Sequence, residues 1–449
     1  MTQTTIQTTQ QPAAPVPQVG IFPDIFGKSP FAFLRDAALE GDLVQIKAGP
    51  IKVFLVSGAD EFQYVLRDNQ ANFIKSPKLY DAAKMMVGNG LLTSQGDFWL
   101  RQRRMIQPYF HRKQIANFTQ LMVDGIADVL DKWEDDKEYD LKHIMSQVTI
   151  EVISRTMFGK NIVSEKEMVQ VADDLVFLAN YIALRGYMPF VPLSMPVPGH
   201  GRYKAAMARL HKIVERIIVL GEQTPESGNL ISMLVHATDE ETNEQMTRPQ
   251  LFDETMTMFS AGFETTSTTV AWLLYLLDQH PDIKQKVQAE IDDALGTRKP
   301  TFEDFRKLPY CRMVFQEALR YYPASPMIPR TTVEDDEING QHIPANTMLL
   351  MFIYGLHHNP KLWDNPEAFD PQRFASDAPK QSSRFAYMPF SAGPRKCIGD
   401  EFAQTEGILM LAMIMQRYEV EILAGQAIVP NLSATLTPKN GIQVKLHKK

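Results

Sequence analysis

One stretch constrains the fold more than any other. Thr247 is followed three residues later by Gln250, the spacing of a reciprocal helix cap. Pro249 falls in the first turn, and His280-Pro281 supplies the stop. The pattern predicts one unbroken helix over residues 248–279, about 48 Å long at 1.5 Å per residue. A helix of that length crosses a whole domain, so the rest of the chain must pack around it. Helical patterns dominate from residue 59 to residue 322, including one helix from Pro281 that ends at Gly296 and another over 310–322 that Pro323 ends. A further helix is predicted over 400–417.

Strand patterns lie near both ends. Residues 43–47 and 51–56 read as strands joined by a Gly49-Pro50 turn, and 347–352 reads as a buried strand. Residues 432–446 read as a hairpin around Asn440-Gly441. The expected fold class is mainly α with small β-sheets, with a helix-rich and a β-rich lobe. No long linker or internal repeat divides it, so residues 21–449 are read as a single domain. Residues 1–20, rich in Thr, Gln and Pro, are read as a disordered tail. No run of 18 apolar residues occurs, so neither a transmembrane anchor nor a leader peptide is expected, and the chain is read as cytoplasmic. The net charge of -7 argues against bulk nucleic-acid binding. The two cysteines, Cys311 and Cys397, provide neither a disulfide framework nor a zinc ribbon.

Residues 389–399, Pro-Phe-Ser-Ala-Gly-Pro-Arg-Lys-Cys-Ile-Gly, carry the most chemistry. Gly393 and Gly399 permit a tight turn and close approach to a flat group. Arg395 can pair with an anion. Backbone N–H groups and the start of the next helix favour a thiolate at Cys397, and Phe390 can cover the sulfur. Cys311 lies on an apolar helix and reads as core.

This segment resembles the haem-binding signature of the cytochromes P450, and the resemblance extends from about Ile21 to Lys449. It implies haem b (iron protoporphyrin IX), with Cys397 as the axial iron ligand. It also implies that Trp99, Arg103, Arg330 and Arg395 anchor the propionates, with Phe390 beside the sulfur. Glu317-Ala318-Leu319-Arg320 on a helix and Arg373 in Asp370-Pro371-Gln372-Arg373-Phe374 resemble the family's Glu-Arg-Arg triad. Gln372 stands where an acid is more usual. Ala261-Gly262-Phe263-Glu264-Thr265-Thr266 matches the family's mid-helix acid–alcohol pattern, which assigns Glu264 and Thr265 to proton delivery and Gly262 to close haem approach.

The implied activity is a monooxygenase using O2, with electrons from a separate ferredoxin or flavodoxin-type donor and its reductase. Arg101, Arg104, Arg112, Lys113 and Lys396 are expected to form the docking face. Met85, Met86, Tyr181, Met188, Phe190 and Met327, with Phe259, Phe263 and the turn near Thr435, are expected to line a pocket for a hydrophobic small molecule: a fatty acid, a terpenoid or an aromatic. Two further readings stay open: oxidative phenol coupling or peroxide-driven chemistry, and a non-enzymatic haem-binding sensor.

Overall fold

The computed structural model describes residues 16–20, 29–48, 51–159, 164–186, 191–224, 228–379 and 382–449. The long helix forms over Arg248–Gln279, as the sequence predicts. The Thr247 hydroxyl accepts from the Gln250 N–H, and Gln250 Oε1 accepts from the Thr247 N–H at 2.8 Å. In chain order the helices are α1 (Pro30–Ala38), α2 (Ala59–Gln63), α3 (Pro77–Val87), α4 (Gly96–Ile106), α5 (Arg112–Leu130), α6 (Leu141–Ile153), α7 (Glu165–Gly186), α8 (His200–Gln223), α9 (Leu230–Val235), α10 (Arg248–Gln279), α11 (Pro281–Leu295), α12 (Pro309–Tyr321), α13 (Ile353–His357) and α14 (Asp400–Arg417). Apolar residues surround α10 on nearly every side, so it can only be a core helix. It packs against α6, α14, α12, α3 and α8. Phe259 and Phe263, expected on the pocket wall, are buried within this core instead; Phe259 meets Phe158 edge to face.

The strands are β1 (Gln18–Gly20), β2 (Leu43–Ala48), β3 (Ile51–Val56), β4 (Phe73–Lys75), β5 (Lys137–Asp140), β6 (Met327–Thr332), β7 (Asp336–Ile338), β8 (Gln341–Ile343), β9 (Met348–Phe352), β10 (Tyr418–Ile422), β11 (Pro430–Leu432), β12 (Leu436–Pro438) and β13 (Gln443–Lys448). The largest sheet has the order β1-β2-β3-β9-β6-β4. Its β4–β6 edge pairs Lys75 with Arg330 in register, which sets two cations opposite one another. The architecture is therefore helical, with small sheets.

Two readings change. Gln18–Gly20 falls within the stretch read as a disordered tail, yet it adds to β2 as a parallel edge strand. Main-chain pairing can recruit a segment with little apolar content. The predicted C-terminal hairpin does not form around Asn440-Gly441. Instead β12 pairs with β11, while β13 lies between β10 and β5. Gly441, at φ 72°, turns the chain from one sheet to the other, and a Cβ there would collide with the Asp140 carboxylate. The Gly49-Pro50 turn, Met188 and Phe190 lie outside the described residues. Cys311 is buried on α12, where desolvation drives its thiol pKa well upward, in keeping with a core role.

Candidate active site

The loop that presents Cys397 is shaped by its own backbone. The Cys397 N–H donates to Phe390 O at 2.9 Å, and the Lys396 N–H donates to Gly393 O at 3.1 Å. Gly393 adopts φ +65°, and a Cβ there would lie 2.0 Å from the Leu66 carbonyl oxygen. Only glycine suits that position. Gly399 is not left-handed, and the nearest protein atom to a Cβ there would lie at 3.9 Å. Its contribution is its N–H, which lies against the Cys397 sulfur at the start of α14 and lowers the thiol pKa. Arg103 and Lys396 act in the same direction, while desolvation, the largest influence, raises it. The sulfur is exposed yet ringed by protein, as at the floor of a cavity. Phe390 is half-buried beside the core.

A group of buried and half-buried cations lies nearby. Arg395 stacks on Trp99, with its guanidinium carbon 3.6 Å from the ring centroid, and Nη1 donates to Ser94 O. Arg330 is buried, and its Nη1 donates to its neighbour Pro329 O. Lys75, which sequence reasoning missed, is buried opposite Arg330 and donates to the Leu91 and Leu92 carbonyls. Desolvation, then Arg395 and Arg330, push the Lys75 pKa down to about 6. Desolvation, then Arg330, lower Arg395 to about 10. None of these three forms an ion pair among the described residues. Buried like charges of this kind call for anions between them. Two propionates satisfy that need, so the residues present fit a haem.

Trp99 serves as the platform that holds Arg395. Arg103 also braces the cysteine loop: Nη1 donates to Lys396 O at 2.8 Å and Nε to Gln107.

The charge triad assembles. Arg320 grips Glu317 through two bonds, at 2.7 and 2.8 Å, and both side chains are wholly buried. Its remaining N–H groups reach the carbonyls of His357, Pro366 and Ala368. Arg373 Nε lies 3.5 Å from Glu317, whose carboxylate also accepts the Asp370 N–H. His357, another residue missed from sequence, carries this order to the cysteine loop. Its Nε2 accepts the Met388 N–H at 2.8 Å while Nδ1 faces Arg320 O. These bonds assign the proton to Nδ1, and burial holds the ring neutral.

Across the site, α10 is buried on both sides of its centre but opens at Ser260, Ala261, Gly262 and Thr265. The Thr265 hydroxyl donates back to Ala261 O at 2.9 Å, the local bond that strains a helix. Glu264 lies off this opening, because adjacent helical residues diverge by about 100°. Its Oε1 accepts from Thr435 at 3.0 Å and lies 3.6 Å from Lys142 Nζ. Gly262 also comes close to Ile153 of α6, with a Cβ position 3.0 Å from Cδ1.

The expected docking cations are largely spent. Arg104 grips Asp239 at 2.9 and 2.8 Å and also meets Glu241; Arg101 pairs with Glu244 and Lys396 with Asp400. An acidic turn before α10 supplies three of these partners. Arg112 lies over the Phe302 ring, and Lys113 is exposed.

Comparison with known proteins agrees with this geometry. The chain is 36% identical over 400 residues to cyclooctat-9-en-7-ol 5-monooxygenase of Streptomyces melanosporofaciens, covering 89% of this chain and 86% of the relative. It is 28% identical to pentalenene oxygenase of Streptomyces avermitilis, covering 93% of each. The crystal structure of the cytochrome P450DA haem domain superposes with a TM-score of 0.86, at 23% identity and 98% coverage of both chains. The family model described as Cytochrome P450 matches residues 10–446, which takes in nearly every element of the fold. This chain therefore belongs to the cytochrome P450 family and takes a thiolate-ligated haem.

Proposed function

We propose that this P450 inserts one oxygen atom from O2 into a hydrophobic small molecule of terpenoid type, drawing electrons from a separate ferredoxin- or flavodoxin-type protein. The bound haem supplies oxygen activation. The observation that carries the reading is the opening at the centre of a buried α10, where Thr265 stands on the open face and Glu264 is held directly beside it. In this reading Thr265 holds a proton-donating hydroxyl at the reacting end of the cavity. Glu264, tethered to Lys142 and Thr435, passes protons inward from its protein-facing side. Cys397 is the iron ligand, and Arg330, Arg395 and Lys75 hold the propionates.

Terpenoid substrates are favoured by the relatives named for cyclooctat-9-en-7-ol and pentalenene oxidation, and by the apolar Met85, Met86 and Met327 on the surrounding elements. A carbon-monoxide difference spectrum tests the ligation; absence of the red-shifted thiolate band overturns it. Turnover of a terpene alcohol panel with a surrogate ferredoxin pair under labelled O2 tests the rest. One labelled oxygen in the product supports insertion. Dimeric products without label would establish oxidative coupling instead.

A further inference from the structure

The segment from Leu175 to Val214 contains no Asp or Glu, yet it carries Arg185, Arg202, Lys204, Arg209 and Lys212 in a chain of net charge -7. It covers the second half of α7, the residues that follow, and the first half of α8. Two of its arginines are satisfied locally: Arg209 grips Asp174 through two bonds of 2.7 Å, and Arg202 lies 4.2 Å from the Phe177 ring centroid.

Arg185 is not satisfied. It is only 2% exposed, in the last turn of α7, and its Nη2 donates to Pro192 O at 2.6 Å. Nε and Nη1 are buried without a hydrogen-bond partner among the described residues. A guanidinium cannot shed its proton, so the charge remains and must be compensated. The acid-free segment around it has no carboxylate to offer. On α3, which packs against α7, the sole acid is Asp81, exposed and paired with Lys84.

Packing links this charge to α3 and, through it, to α10. The residue after Arg185, Gly186, abuts Leu79 of α3; a Cβ there would lie 2.8 Å from its side chain. The α3 helix also packs on α10, and the loop that follows it is bonded there through the Asn89 N–H to Asp253 and the Leu91 N–H to Glu254. Tyr203 of α8 donates to Met85 O of α3, and Tyr203 stacks on Tyr181 of α7. So α7 packs on α3 and α8, which both pack on α10; the three form a roof on that helix, with the unpaired guanidinium in the last turn of α7 beside the α3–α7 seam.

We propose that Arg185 binds the carboxylate of an acidic hydrophobic substrate, so that the acid group is held in the roof and the apolar body extends toward Thr265. This rests on the monooxygenase reading and narrows its substrate to a carboxylic acid. Arg202, Lys204 and Lys212 on the same acid-free segment would draw such an anion to the roof.

The test uses the full-length haem-loaded protein and two matched pairs, myristate with methyl myristate and abietate with methyl abietate. Binding is read from the haem spin-state shift. For at least one skeleton the acid should bind about tenfold or more tighter than its ester, as hydrogen bonds to a buried charge allow. Arg185→Gln should bring the acid to the ester's affinity and leave the ester unchanged. Arg185→Lys, which keeps the charge, should retain part of the preference and keeps the test decisive if the Gln variant does not fold. Equal affinity of acid and ester for both skeletons, no response to any of the four, or a preference that survives Arg185→Gln would each overturn the proposal. Ester binding with an intact thiolate band would leave the monooxygenase reading standing; loss of that band in the unmodified protein would sink that reading separately.

Discussion

Thr435, in the turn between β11 and β12, donates its hydroxyl to Glu264 Oε1 across 171 positions of sequence. A β-turn and Lys142 at the start of α6 thus hold the acid beside the opened face of α10. Glu264→Gln should reduce product-forming turnover about 10²-fold, the lower bound for a lost proton-transfer group. Thr435→Val should reduce it less, since Lys142 still holds the carboxylate. Product yield per electron consumed checks both, with the carbon-monoxide spectrum unchanged.

The triad predicts a stability effect. Arg320→Ala leaves Glu317 buried without its bidentate partner and frees the carbonyls of His357, Pro366 and Ala368. A loss of about 3–5 kcal/mol is expected. Urea unfolding of the holoprotein measures it. His357→Ala should cost less overall but should selectively weaken the thiolate band, because it frees the Met388 N–H at the base of the cysteine loop.

Gly393→Ala is expected to disorder that loop. The residue adopts φ +65°, and the Leu66 carbonyl occupies the space a methyl would need. Haem content after purification should fall sharply. Gly399→Ala should be tolerated, since its Cβ direction is open and the N–H is retained.

Glu406 on α14 is fully buried, and neither carboxylate oxygen has a well-formed hydrogen bond among the described residues. Desolvation raises its pKa to about 8, moderated by the nearby Thr266. The folded state therefore binds the proton more tightly than the unfolded chain. This contribution is fully present below about pH 4.5 and is lost as pH rises through about 8. Glu406→Gln should be near neutral at pH 5 and stabilising at pH 8.5, by up to a few kcal/mol at ~1.4 kcal/mol per tenfold change in proton affinity. Thermal unfolding at the two pH values decides it.

Electron delivery should depend on Arg112 and Lys113 more than on Arg101 and Arg104, which the acidic turn already occupies. Neutralising the first pair should slow ferredoxin-driven reduction at low salt several-fold. Neutralising the second should mainly cost stability. Stopped-flow reduction at two ionic strengths separates them.

Local rules make much of this protein legible in its amino-acid sequence. The capping box and the His-Pro stop set the bounds of α10, because a cap depends on residues within one turn of it. The loop around Cys397 and the pairing of Glu317 with Arg320 are readable for the same reason: their chemistry lies at fixed short spacing. What sequence could not assign depends on partners far apart in the chain. Lys75 joins the buried cations only because β4 pairs with β6, and His357 reaches Met388 only through the folded loop. Arg103 reaches the Lys396 carbonyl, Glu264 reaches Thr435, and Arg101 and Arg104 pair with an acidic turn more than 130 residues away. A charged side chain takes the nearest opposite charge or acceptor that the fold brings to it. Which group that is, tertiary packing alone decides.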